Sequence, residues 1–466
     1  MKILISFLIA IFITDSAFAQ NKNYKTTIDN FKKNYNANGY NEIFSHFSPE
    51  MKKSLPIEKT KLFLTSLKSQ LGNIESMEFI NYQGKTYARY KTKFEKTIMA
   101  VNISLNDLNQ IDGFFVKPYE EAEMSENKIV NSLNSYPKKI AEIVFSASKN
   151  LPNNTQLSIA IIQDGKTNYY GITKINDTIK PCENQNLFFE IGSITKVFTS
   201  TILASLIESK KIKSTDEINS YYQFPFKNNI KLTFESLANH TSGLPRLPEN
   251  LRSKNDANPY KSYGKIEVEE YLKNFVKLEN VPSTTYSYSN IGAGLLGYTL
   301  GLSQKTTFQN LLKKKIFDKY KMTNSVTSLQ TLGIRLIKGL NKEGKIVSNW
   351  DFDALFGAGG ILSTTEDLAK FINAQFDPKN EELELTRKTT FEINGHTKIG
   401  LGWHKLEPAI GENLFWHNGG TGGYSSSVVM KINEKTGVII LSNVFDINDK
   451  IDALSNDLLA TSAKQQ

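Results

Sequence analysis

Apolar and polar residues recur with two different periods along the chain, and the first part of it changes from one period to the other. Helical spacing of apolar residues is followed by period-two alternation, which predicts helices and then the strands of an antiparallel meander. The predicted helices cover 24–35, 43–47 and 57–71, and the predicted strands cover 77–82, 86–94, 98–105 and 111–116. This order predicts a small α+β cone over residues 23–119.

A polar, acidic stretch within 120–135 predicts a linker, and a longer unit over 136–466 follows it. In that unit the patterns predict a helix over 136–149, a hairpin pairing 156–163 with 167–173, and strands over 425–432 and 437–442. Ile447, Ile451, Leu454 and Leu458 recur at helical spacing and predict a last helix packed on the sheet. Residues 197–376 are mainly helical, so the predicted fold class is α+β. The strands of the sheet come from both ends of the unit, and we expect the active site where this sheet meets the helices.

The N-terminus has the pattern of a secretory signal peptide. Met1-Lys2 precedes an apolar run over 3–13, and Ala17-Phe-Ala19 provides a cleavage site, so we expect cleavage after Ala19. The run is shorter than the roughly 20 residues of a spanning helix, which disfavours a membrane anchor. With no later segment apolar enough to span a bilayer, we expect a periplasmic or secreted protein without a transmembrane segment after cleavage.

Composition narrows the classes of partner and cofactor. The net charge of +9 comes mainly from scattered Lys, whereas nucleic-acid readers favour clustered basic faces and Arg forks, so we expect no nucleic-acid partner. One cysteine, Cys182, allows no intramolecular disulfide. The five histidines show no ligand spacing within a helix, so we expect neither a metal nor a cofactor.

A nucleophile and its base are predicted by Ser193-Ile-Thr-Lys196. A serine hydroxyl needs a base within hydrogen-bond reach, and residues at i and i+3 share one face of a helix. Partial burial and a second cation would lower the pKa of Lys196. Gly192 before the motif and the apolar stretch from Val197 after it place Ser193 at a helix N-terminus; the alternative is a serine that only caps the helix.

Tyr288-Ser-Asn290 lies between a polar loop and a helix rich in small residues. A phenol beside a lysine can lose its proton below its usual pKa near 10, which would make Tyr288 a general base. Asn290 would add its amide to the same network. The alternative is a tyrosine packed on the core and an asparagine that caps the helix.

The third motif, His417-Asn-Gly419, is followed by Gly420 and predicts a strand edge. Glycine in a strand often marks a close approach of a ligand or of another backbone. A substrate could lie along this strand, with the N–H groups of Gly420 and Ser193 as an oxyanion hole. The alternative is a glycine-rich hairpin with an incidental histidine.

In this order the three motifs resemble the serine β-lactamase and penicillin-binding protein family on its class C side, which includes DD-peptidases, D-aminopeptidases and esterases. The resemblance runs from about residue 140 to the end of the chain, and 237–245, 359–367 and 400–403 look like further landmarks of the family. It implies Ser193 as acylated nucleophile, Lys196 and Tyr288 in proton transfer, and Ser193 with Gly420 in the oxyanion hole. It also implies substrate binding by Asn290, His417 and Gly419.

Two departures from the family pattern bear on the substrate. His417 stands where the β-lactamases usually carry Lys, and a histidine is only partly charged near neutrality. Leu247 stands where they tend to carry Gln. Both departures favour peptide or ester hydrolysis over antibiotic hydrolysis.

We therefore expect an exported serine hydrolase that forms an acyl-enzyme on Ser193 and cleaves an amide or ester of a small molecule or peptide. Candidate substrates are a D-alanyl peptide, a D-amino acid derivative or a small ester, with peptidoglycan fragments as partners and β-lactams bound or slowly hydrolysed. The alternatives are a β-lactamase proper and a catalytically silent protein that binds a cell-wall ligand.

Residues 23–119 resemble the NTF2-like domains of the DUF3887 kind that precede bacterial hydrolase domains. This segment contains His46 as its only histidine and no evident acid/base set. We expect an accessory role in binding or positioning rather than a second active site.

Overall fold

The computed structural model describes residues 22–83, 87–119, 129–251, 257–408 and 411–462. The chain divides into two compact units, one up to residue 126 and one from residue 127. The predicted signal peptide and its cleavage site lie outside the described residues. Within those residues, we find no helix with both the length and the apolar character needed to cross a membrane.

The first unit consists of four helices followed by a four-stranded antiparallel sheet. Its elements are α1 Lys22–Asn36, α2 Tyr40–Ser45, α3 Pro49–Ser54, α4 Ile57–Leu71, β1 Ile74–Gln83, β2 Tyr87–Phe94, β3 Ile98–Leu105 and β4 Ile111–Pro118. The strands pair in the order β1-β2-β3-β4, which confirms the predicted meander. Short α3 was not predicted; Ser48 caps it by accepting the Met51 N–H at 3.0 Å. Apolar residues of α1, α2, α4 and the sheet form the core.

The second unit contains the remaining elements. Its strands are β5 Val130–Asn131, β6 Gln156–Gln163, β7 Lys166–Tyr169, β8 Ile172–Ile175, β9 Thr178–Pro181, β10 Phe189–Glu190, β11 Leu362–Ser363, β12 Phe391–Asn394, β13 Thr397–Ile399, β14 His404–Leu406, β15 Leu414–Gly420, β16 Ser425–Lys431 and β17 Thr436–Ser442. Its helices are α5 Lys138–Ser148, α6 Thr195–Glu208, α7 Phe234–Ala238, α8 Lys265–Glu270, α9 Asn290–Ser303, α10 Phe308–Leu312, α11 Thr365–Gln375, α12 Glu381–Arg387 and α13 Asn448–Ser462.

One large sheet joins strands from both ends of this unit, as predicted. The order is β12-β13-β14-β15-β16-β17-β6-β8-β9-β5, and β7 pairs with β6 as the predicted hairpin. All pairs are antiparallel except β5 with β9. The helical middle of the unit adds only the two-stranded sheet of β10 and β11.

Part of the predicted linker differs from the prediction. Residues 120–128 lie outside the described residues, but Val130 and Asn131 pair with Thr178 and Ile179. Leu133, 1% exposed, packs in the core under the sheet. Because this apolar burial stabilises the segment on the second unit, its polar neighbours were a poor guide to its structure.

The two faces of the large sheet are covered by different helices. On one face α5 and α13 pack against strand residues such as Ile159 and Ile440. On the other face α11 packs against β6 and β17, and the turn that leads into α6 packs against β15 and β16. The buried residues of α6 itself include Val197, Phe198 and Ile202. A helix buried on nearly all sides has little freedom to shift, so whatever stands at its N-terminus is held in a fixed position.

Candidate active site

Ser193 lies in a single 3-10 turn, Gly192–Ile194, that leads directly into α6. Gly192 has φ +52°, a left-handed conformation that favours glycine. Lys196, in the first turn of α6, places its Nζ 2.8 Å from Ser193 Oγ and 2.7 Å from the Ala358 carbonyl oxygen. The predicted placement of both side chains on one helix face is therefore present in the structure.

Lys196 is 2% exposed, and its pKa is held well below the ordinary lysine value. Burial is the main cause, because it disfavours the ammonium, and the positive charge of Arg246 adds to it. The expectation that burial and a second cation lower this pKa is confirmed, with Arg246 as the cation. A neutral amine can donate to Ala358 and still accept a proton from Ser193.

The ring of Tyr288 packs against the side chains of Lys196 and Arg246. Lys196 Nζ lies 4.9 Å and Arg246 Cζ 5.1 Å from the centroid of its ring. The expectation of a lowered pKa is wrong: burial raises the pKa of Tyr288 to about 12, against the lowering effects of Ser193 and Arg246. The phenol remains protonated near neutrality, so it serves this site as a donor.

Asn290 is the first residue of α9, whose cap is Ser289; the Ser289 hydroxyl accepts the Gly292 N–H at 2.9 Å. The amide nitrogen of Asn290 donates to the Tyr260 hydroxyl at 3.2 Å. Its amide oxygen is buried and has no hydrogen-bond partner within the described residues. A substrate N–H could satisfy that oxygen, which fits the predicted binding role.

The third motif is the end of β15, an interior strand of the sheet. Its neighbour β14 pairs only with Leu414–Trp416, so the segment 417–420 pairs with β16 alone among the described strands. The predicted strand edge is thus a local one. A side chain on Gly419 would approach the Ser193 nitrogen to 2.8 Å, and one on Gly192 would approach the Gly420 nitrogen to 2.7 Å. Glycines therefore bring the two predicted oxyanion donors together.

Helix α13 is hydrogen-bonded to one face of β15 through Asp452. The Asp452 carboxylate accepts hydrogen bonds from Trp416 Nε1 at 3.1 Å, Asn418 Nδ2 at 2.7 Å and Ser427 Oγ at 2.6 Å. Trp416 and Asn418 face α13 because strand side chains alternate, which leaves His417 and Gly419 on the opposite face. The sequence did not point to Asp452, because its partners are distant in the chain.

His417 is neutral. Burial and the nearby His404 and Lys196 hold its pKa well below the ordinary histidine value. Its Nδ1 lies 2.6 Å from the Asn418 carbonyl oxygen, which can only accept, so Nδ1 carries the proton. Nε2 is then a bare acceptor, buried and without a partner among the described residues.

Two further histidines lie at this site, and no motif in the sequence had indicated their contacts with the site residues. The His240 ring packs against that of Tyr288 in a tilted arrangement at a centroid distance of 4.5 Å, and the His404 ring lies 5.5 Å from that of His417. His404 Nε2 also hydrogen-bonds with the Tyr286 hydroxyl at 2.8 Å. Across the described part of the chain, no group of three or more His, Cys, Asp or Glu residues is arranged to hold a metal ion.

Glu190 is a second group that the motifs did not reveal, although it precedes Ser193 by three residues. It is 4% exposed, and its Oε1 accepts from Asn349 Nδ2 at 2.6 Å and from the Trp350 N–H at 3.0 Å. Burial raises the pKa of Glu190 to about 7. The Glu190 carboxyl group thus links β10 to the loop that carries Trp350. The Trp350 ring in turn packs 5.5 Å from that of Tyr260.

Comparison with known proteins agrees with this geometry. The family described as "Beta-lactamase" matches residues 153–461, and the family described as "Protein of unknown function (DUF3887)" matches residues 29–114. The chain is 27% identical over 329 residues to a "Beta-lactamase" of Pseudomonas fluorescens, covering 62% of this chain and 88% of that protein. It is 22% identical over 319 residues to the "D-alanyl-D-alanine-carboxypeptidase/endopeptidase AmpH" of Escherichia coli (strain K12), covering 62% and 81%.

A solved structure of similar fold is the "Beta-Lactamase/D-Alanine Carboxypeptidase" of Pseudomonas syringae. The TM-score is 0.59 at 21% identity, and the match covers 69% of this chain and 98% of that one. At this identity the likeness shows the fold alone. The first family match spans more than half of the chain, and with it the Ser193–Lys196 pair and the strand of His417, so the protein belongs to the Beta-lactamase family of serine hydrolases and carries a DUF3887 region before that domain.

Proposed function

We propose that the protein is an exported hydrolase that cleaves an amide or ester through an acyl-enzyme on Ser193. The observation that carries the proposal is the 2.8 Å contact between Ser193 Oγ and the buried Lys196 Nζ. A lysine whose pKa is lowered by burial is a base that can work near neutrality. An ordinary surface pair with the same spacing, such as Ser146 and Lys149, lacks that burial.

In the acylation step, neutral Lys196 accepts the Ser193 proton while Oγ bonds to the substrate carbonyl carbon. The negative charge that develops on the carbonyl oxygen is held by the N–H groups of Ser193 and Gly420. One such donor contributes about 3 kcal/mol to stabilisation of the transition state.

Collapse of the tetrahedral intermediate needs a proton on the leaving amine or alcohol. Tyr288 is protonated, and its ring lies 4.9 Å from Lys196 Nζ, the base beside Ser193, so it is suited to donate that proton. The Lys196 ammonium formed in the first step then returns a proton to the phenol. Attack of water on the acyl-enzyme, with Lys196 again as base, releases the acid and restores Ser193.

D-alanyl peptides, D-amino acid derivatives and small esters are the substrates we propose, with peptidoglycan fragments among them. Support comes from the names of the relatives, which include a D-alanyl-D-alanine carboxypeptidase. We propose export from the N-terminal pattern and an accessory role for the DUF3887 region.

The test is intact-mass spectrometry over time, after mixing the protein with benzylpenicillin or with a D-alanyl ester. We expect an added acyl mass on the wild type and on Ser146→Ala, and none on Ser193→Ala. Ser146 is the matched control because it is exposed and has a lysine three residues later. An adduct that persists on Ser193→Ala refutes the scheme, and a folded wild type that neither reagent acylates supports a silent binding protein. Rapid consumption of the antibiotic identifies a β-lactamase proper.

A further inference from the structure

The face of β15 that carries His417 offers an acceptor at the position where the family's β-lactamases usually carry Lys. His417 is 2% exposed and donates through Nδ1 to the Asn418 carbonyl oxygen. Its free Nε2 therefore carries a lone pair and would repel a carboxylate. A substrate N–H or O–H is the group that this nitrogen can bind.

A cation is nevertheless present at the mouth of the site. Arg246 is exposed, and its own carbonyl oxygen accepts the Asn290 N–H at 2.9 Å, which ties its backbone to the start of α9. Its guanidinium carbon lies 5.1 Å from the centroid of the Tyr288 ring. Arg246 is thus anchored beside the group that would protonate the leaving atom.

Arg246 has no carboxylate partner among the described residues. Glu249, the nearest acid along the described chain, pairs instead with Lys277 at 3.2 Å. The field of Arg246 reaches the site, since it contributes to the lowered pKa of Lys196. An exposed guanidinium that faces a reactive centre without a counter-ion is a recognition element for a planar anion.

We propose that Arg246 binds the carboxylate of the substrate, in the role that a lysine in the third motif would otherwise have, while His417 accepts a hydrogen bond from a substrate donor. The inference rests on the proposed acyl-enzyme function and narrows it to substrates with a free carboxylate near the scissile bond. The anion is then bound from the loop before α9 instead of from β15.

The test compares two acyl donors that differ only in charge: a D-alanyl-D-alanine peptide with a free C-terminal carboxylate and the same peptide as its C-terminal amide. The variants are Arg246→Gln, Arg246→Lys and the control Lys305→Gln. Lys305 is exposed just beyond the far end of α9, a 14-residue helix about 20 Å long, so this control removes one positive charge at a distance.

We expect Arg246→Gln to lower kcat/KM for the acid by about tenfold or more and to change that for the amide much less. Arg246→Lys should lower kcat/KM for the acid less than Arg246→Gln does. Lys305→Gln should have the kcat/KM values of the wild type, and added salt should reduce the preference for the acid over the amide. An equal loss on acid and amide overturns the proposal, because Arg246 then acts only through the pKa of Lys196. A wild type that cleaves the amide as well as the acid also overturns it and leaves the acyl-enzyme function intact. If neither peptide acylates Ser193, the carboxylate proposal is overturned, and acylation by the D-alanyl ester or benzylpenicillin decides whether the acyl-enzyme function stands.

Discussion

Gly419 and Gly420 are adjacent glycines for which the structure predicts opposite responses to the same substitution. A Cβ on Gly419 would lie 2.2 Å from the Ile191 carbonyl oxygen and 2.8 Å from the Ser193 nitrogen. Both are backbone atoms of the nucleophile turn, so they cannot move without moving Ser193. A Cβ on Gly420 would meet its nearest atom, Asn448 Oδ1, at 3.2 Å.

The size of the effect expected for Gly419→Ala follows from how far β15 and the Ser193 turn must separate. Relief of a 2.2 Å contact requires a separation of about 1 Å between β15 and the turn, since non-bonded atoms settle near 3.5 Å. A displacement of about 1 Å at reacting groups lowers a rate by about 100-fold. Overpacking should also lower the free energy of unfolding by about 1–3 kcal/mol. Gly419→Ala should therefore lose about 100-fold in kcat/KM while remaining folded.

The assay is kcat/KM on a small chromogenic ester, with urea unfolding of each variant in parallel. Gly420→Ala is the matched control, because it adds the same methyl group and keeps the N–H that would bind the oxyanion. We expect it to stay within about fivefold of the wild type, since the 3.2 Å contact needs only a small adjustment. Near-normal activity of Gly419→Ala would refute the reasoning, and so would equal losses in both variants.

Three further predictions concern the base, a buried carboxyl group and the N-terminus. Because burial and Arg246 lower the pKa of Lys196, kcat/KM should fall at the pH where acid protonates this amine, well below 10.5, and Arg246→Gln should move this limb to higher pH; a pH profile whose limb lies near 10.5 would contradict this. Glu190→Ala should lower the free energy of unfolding by about 1–3 kcal/mol, because two partly buried donors lose this acceptor, whereas Glu190→Gln retains an acceptor oxygen and should lower it less; equal urea midpoints for the two variants would argue against this role. Expression in a secreting bacterial host should yield a protein whose intact mass lacks residues 1–19, and retention of that segment would show that Ala19 is not the cleavage site.

Much of the fold could be predicted because it depends on local patterns. Period-two alternation identified the strands of the first unit and the central strands of the second, since alternate residues of a strand face opposite sides. The main differences were α3 and the end of the linker. Both are short segments, in which a single cap at Ser48 or one buried side chain at Leu133 outweighs the local composition.

The placement of the candidate site could be predicted only where sequence neighbours were also spatial neighbours. Ser193 and Lys196 meet because a helical turn separates them by three residues. The pKa of Tyr288 could not be predicted, because it depends on burial by segments distant in the chain. The neutrality of His417 likewise depends on His404 and Lys196, which approach it only in the folded chain.

The sequence by itself determined the family, the candidate pair Ser193 and Lys196, and much of the order of helices and strands, because each follows from a motif or a period within a few residues. Only the tertiary structure decided the electrostatics of the site: the pKa of Lys196 lowered, His417 neutral, Tyr288 protonated, and Arg246 left as the exposed cation. The physical reason is that a protonation state depends on desolvation and on charges gathered from the whole fold.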